Sequence, residues 1–99
     1  MDTRSALIHM LRQLFEDTQM LHQQGAGYYS CTPIARRYNK LLDQAGTLFA
    51  TERGLIDTFD RVVEIDPHDP ADKMVLLQGI RIEMGQLISL LEGLPETRT

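Results

Sequence analysis

Between Pro33 and Pro67 the chain contains no proline, and its apolar residues keep one phase throughout. Ile34, Tyr38, Leu41, Ala45, Leu48, Glu52, Leu55, Phe59 and Val62 follow one another in alternating steps of four and three. A second row, Leu42, Phe49, Ile56 and Val63, repeats every seven residues beside it. A strand would alternate apolar and polar residues with period two; this pattern has the 3.6-residue period of a helix. Thr32-Pro33 reads as an N-cap followed by proline at the first helical position, and Asp66-Pro67 as the stop. Gly54 interrupts the composition but leaves the phase unchanged. The spacing therefore predicts one helix over residues 33–65, roughly 48 Å long at 1.5 Å per residue.

Two further segments carry the helical period. Over residues 4–24, Leu7, Leu14 and Leu21 repeat at seven, flanked by Ile8, Phe15 and His22, with Gly25 as a natural stop. Over residues 70–92, Leu77, Ile80, Met84, Leu87 and Leu91 form a stripe. Asp69-Pro70 with Asp72 starts that helix, and Gly93 and Pro95 stop it. Its apolar residues run most of the way round, as in a helix covered by more than one neighbour. The expectation is an all-α, single-domain chain: a three-helix up-down-up bundle with a long central helix, completed by dimerisation, and a flexible tail over residues 94–99.

Gly46, Gly54, Gly79 and Gly85 all fall inside these helices, where each costs about 1 kcal/mol relative to alanine. They imply either kinks or close approach of another helix, within the chain or between subunits.

The charge balance excludes several functions. With a net charge of −4 and a pI near 5.2, the chain offers no basic stripe for phosphates or for an anionic membrane surface. No nucleic-acid or membrane partner is expected. The one cysteine cannot form an internal disulfide, and the N-terminus lacks the apolar core of a signal peptide, which suits a reducing, cytoplasmic setting. His9, His22 and His68 lie one to an element, without metal-ligand spacing, so neither metal nor cofactor is expected.

Chemistry concentrates in "GAGYYSCTP", residues 25–33, and the arginines after it. Cys31 lies just before a helix N-terminus, where positive charge can activate a thiol, but no histidine is adjacent in sequence to serve as its base. Tyr28 and Tyr29 suit a plug over the bundle end. Ser30, Thr32, Arg36, Arg37 and Lys40 form a candidate site for an anion or an acidic partner.

The charge order along this helix is unusual. Arg36, Arg37 and Lys40 stand at the positive end of its dipole and Asp57, Asp60, Glu64 and Asp66 at the negative end, opposite to what the dipole favours. Two copies packed head to tail would bring the basic end of one against the acidic end of the other. The leading reading is a non-catalytic interaction, adaptor or regulatory protein that forms a homodimer or docks a protein partner. The alternative is a small ligand-binding or anion-binding protein, or an enzyme, using the segment 25–37.

Overall fold

The computed structural model describes residues 2–24 and 30–94, and the chain over these residues is helical without strands. The side chain of His22, both Tyr28 and Tyr29, and the tail beyond Leu94 lie outside the described residues. Four helices follow in order: α1 (Thr3–Gln24), α2 (Thr32–Leu48), the short α3 (Arg53–Ile56) and α4 (Pro70–Gly93). A 3₁₀ turn, Ala50–Glu52, joins α2 to α3.

The helix starts follow local sequence in part. Asp69 caps α4, its Oδ1 accepting from the Ala71 N–H at 2.8 Å, with Pro70 at the first position. Helix α2 begins one residue earlier than Thr32-Pro33 implies. Cys31 is its N-cap residue, already at helical φ −79° and ψ −21°, and makes no side-chain cap bond.

The long central helix does not form as one piece. Two residues leave helical geometry: Phe49 at φ −112° and ψ 52°, and Glu52 at φ −105° and ψ 18°. Neither is glycine or proline, and Gly54 is not the break. The cause is packing. Phe49 and Ile56 are 3% and 2% exposed, so both are folded inward by the turn. In a straight helix they would be two turns apart on a segment projecting past the first residues of α1, with nothing to cover Ile56. Arg4 at the start of α1 holds the corner. Its Nε donates to the Leu48 carbonyl at 3.1 Å, and its guanidinium lies 4.6 Å from the centre of the Phe49 ring.

After α3 the chain runs back along α2 as an irregular strap, residues 60–69. Its contacts progress from Arg61 against Asp43 to Asp66 against the Cys31 N–H. Five residues of strap thus span twelve of helix, about 18 Å, which requires nearly extended backbone. Because the strap makes the return journey, α4 starts at the same end as α2. Lys73 lies beside Cys31, whereas Arg12 of α1 pairs with Glu92 near the end of α4. Helices α2 and α4 are therefore parallel to each other and antiparallel to α1. The up-down-up order is replaced by up-down, a return strap, and down again.

The core lies among the three long helices. Leu11, Tyr38, Leu77, Ile80, Met84 and Leu87 are fully buried. Gly85 marks the close approach of α4 to α1: a Cβ there would stand 3.2 Å from Phe15 Cε1. By length and composition α4 is apolar enough to cross a membrane, with an 18-residue window of mean hydropathy 1.3. The same composition serves here to supply Leu77, Ile80, Met84, Leu87, Ile88 and Leu91 to the buried core.

Candidate functional site

The chain's own strap meets part of the cluster expected to receive an outside anion or a partner's acids, at Arg36 and Ser30. The Cys31 backbone N–H donates to Asp66 Oδ1 at 3.1 Å, so a carboxylate 35 residues away does what a local cap would do for α2. Ser30 Oγ accepts from the Thr32 N–H at 3.4 Å. Arg36 Nε lies 3.4 Å from Glu64 Oε1, and Lys73 Nζ lies 3.4 Å from Asp66 Oδ1. Arg37 and Lys40 are exposed, and Arg37 borders a shallow depression with His9, Leu14 and Asp17.

At the centre of this seam is Asn39, 2% exposed in the middle of α2. Its Oδ1 accepts from the Val62 N–H at 2.9 Å, and its Nδ2 donates to the Val62 carbonyl at 2.8 Å and to Glu64 Oε2 at 2.9 Å. One side-chain amide thus pairs both backbone groups of a strap residue, as a neighbouring strand would. The reversed charge order on the predicted helix is accounted for in part here: Glu64 and Asp66 double back onto the start of α2 within one chain.

These contacts set the acidities of the seam. Glu64 is held below the usual carboxylate range, chiefly by the Asn39 amide and then by Arg36. Asp66 is held low chiefly by the Cys31 N–H and, more weakly, by Ser30 and Lys73. Cys31 moves the other way. Its thiol is buried, and burial followed by the Asp66 charge pushes its pKa up, against a smaller opposing effect of Lys73. Its Sγ donates to the Lys73 carbonyl at 3.8 Å. A nucleophilic thiol needs the reverse environment: exposure and a lowered pKa. The Tyr38 phenol is also buried, with its pKa raised by burial and by the charges of Glu83 and Asp60, so it stays protonated at neutral pH. Among the described residues no group of three or more His, Cys, Asp and Glu is placed to hold a metal ion.

A second surface emerges only from the three-dimensional arrangement. Helix α4 buries Leu77, Ile80, Met84, Leu87 and Leu91, which leaves Val75, Gln78, Gly79, Ile82, Gln86 and Ser89 exposed. Between Met74 and Leu91 every exposed residue of α4 is uncharged. Val75, Gly79, Ile82, Gln86, Ser89 and Gly93 follow in steps of four and three, the spacing of a seam between helices. Val75 is 68% and Ile82 60% exposed, and a Cβ at Gly79 would meet nothing within 4 Å. The face continues into a shallow groove of about 460 Å³ against α1, bordered by Phe15, Arg81 and Gly85. Arg81 stacks its guanidinium 5.6 Å from the centre of the Phe15 ring. The sequence showed α4 to be apolar most of the way round; which residues the bundle leaves uncovered depends on how α1 and α2 pack against it.

Comparison with family models, with curated proteins and with solved structures finds no match to this chain.

Proposed function

We propose that this chain is a non-catalytic helical interaction protein that acts as a homodimer, with the outer face of α4 as its contact surface. One observation carries this reading: a seam of α4, from Val75 to Ser89, that is exposed, uncharged and regularly spaced. A glycine at its centre, with open space around it, costs helix stability and serves no packing contact among the described residues. An approaching helix would use that space, because two backbones can draw close where no Cβ intervenes.

The occupant that fits is a second copy of the same face. A twofold axis near Gly79 would set Val75 of one helix against Ile82 of the other, and the reverse. A chain of net charge −4 repels its own copy over most of its surface, and a charge-free seam is where two copies meet without that penalty. The interior chemistry supports binding rather than catalysis, since the one thiol is buried with a raised pKa and the basic groups nearest it are engaged by the strap.

The test is a dilution series followed by amide and methyl chemical shifts. Concentration-dependent shifts should cluster at Val75, Gly79, Ile82 and Gln86. Shifts confined to the strap or to the depression near Arg37, with α4 unmoved, would reject the α4 face.

A further inference from the structure

The segment from Phe49 to Asp57 has a helical sequence and a turned structure, and only a small number of torsions separate the two. From Leu48 to Ile56 it contains no proline, and its apolar residues keep the phase of α2. It is already helical in pieces, as the 3₁₀ turn and α3, with the departures described above at Phe49 and Glu52. The turn leaves Leu55, a stripe residue, 52% exposed. The sequence thus favours a continuous helix locally, and tertiary packing imposes the turn.

We infer that this segment is a hinge, and that two copies of the chain can exchange everything beyond it. In the exchanged dimer Phe49 and Glu52 enter helical geometry and α2 continues through α3. The strap and α4 of each copy then pack on α1 and α2 of the other. This state makes no use of the α4 face and stands or falls separately from the function proposed above.

The register of the existing contacts suits such an exchange. Asp43–Arg61, Asn39–Val62, Arg36–Glu64 and Cys31–Asp66 each join a group before the hinge to one after it, so all can form between chains. They run antiparallel, and the first of them places a twofold axis near Glu52, at the middle of the hinge. Two straightened helices crossing there put residue 61 of each copy beside residue 43 of the other, as the strap needs. The same crossing brings each exposed Leu55 toward Leu48 and Phe49 of the second copy. The acidic segment meets the basic end of α2 in both states, once within the chain and once between chains. Exchange of an identical element through a hinge is a low-cost route to a dimer because the contacts beyond the hinge re-form between chains.

The test uses the full chain with Cys31→Ser, so that only introduced thiols react. Asp43→Cys and Arg61→Cys are made in separate chains, mixed, refolded together at high concentration and oxidised. The exchanged dimer predicts a disulfide-linked pair containing one chain of each kind. Adding Ala50→Pro, which bars Phe49 from helical geometry but suits the first position of the turn, should reduce that product at least tenfold. Linkage only within a chain carrying both cysteines, with no mixed product, overturns the exchange, and so does a mixed product indifferent to Ala50→Pro. As a second measurement, deletion of residues 50–53 makes the turn unattainable and should give a folded dimer in sedimentation; a folded monomer overturns the hinge. A wild-type dimer that shifts at Val75 and Ile82 but yields no mixed disulfide keeps the α4 interface and rejects the exchange.

Discussion

Asn39 holds the strap to α2 through both backbone groups of Val62, and no apolar side chain of similar size can replace it. Asn39→Ala leaves a buried N–H and a carbonyl without partners, which costs about 1–3 kcal/mol. Chemical denaturation should show a loss of that size, with faster hydrogen exchange at the Val62 amide than in the α1–α4 core. The carboxylates beside it respond to pH. The folded pKa values of Glu64 and Asp66 lie below their unfolded values, so their contribution is complete above the ordinary carboxylate range, about 4. It is lost as pH falls through the lower folded values. Carboxyl NMR titration should give midpoints below the ordinary range for both, with the Asn39 side-chain amide shifting alongside Glu64. Ordinary midpoints would contradict the seam. Neither residue stands out in the sequence as a partner for the basic end of its own chain. A buried asparagine on a helix, a poor helix former flanked by stripe positions, is the one local signal of the non-helical backbone that lies against it.

Among the elements, the glycines of α4 separate packing within the chain from the contact between chains that we propose. At Gly85 an added Cβ pushes on Phe15, and the gain in helix propensity of about 1 kcal/mol meets a packing cost of about 1–3 kcal/mol. Gly85→Ala should be neutral to destabilising in thermal unfolding. At Gly79 there is room, so Gly79→Ala should stabilise the monomer by about 1 kcal/mol and at the same time weaken the dimer. The positions of α1 and α4 were legible from stripes and caps, because those signals are local. The break in the predicted 33–65 helix was not. The residues at the break, Phe49 and Glu52, carry no breaker chemistry, and the turn depends on Arg4 and on burying Ile56. Helix periodicity reports which face is apolar; it does not report where the neighbouring helices end. The candidate site around Cys31 was legible as a cluster but not in its role, because the carboxylates that engage it come from beyond the break.

For the whole molecule, the break reassigns the charges that suggested a head-to-tail dimer. Glu64 and Asp66 are engaged within the chain, so they no longer point to a second copy, and the exposed pairs contribute at most about 1 kcal/mol each. In the proposed dimer the uncharged seam of α4 supplies the contact, and burial of its apolar residues is the driving term. Ile82 is the residue to change. It is exposed in the monomer, so Ile82→Asp should leave the fold intact while placing one carboxylate from each copy close to the shared axis. The direct measurement is sedimentation equilibrium of the wild-type chain and of Ile82→Asp from low to high micromolar concentration. The account predicts that the wild-type mass rises toward twice the 11.3 kDa of one chain while the variant stays at one. A wild-type mass fixed at a single chain throughout that range, or a variant that dimerises as the wild type does, would contradict it.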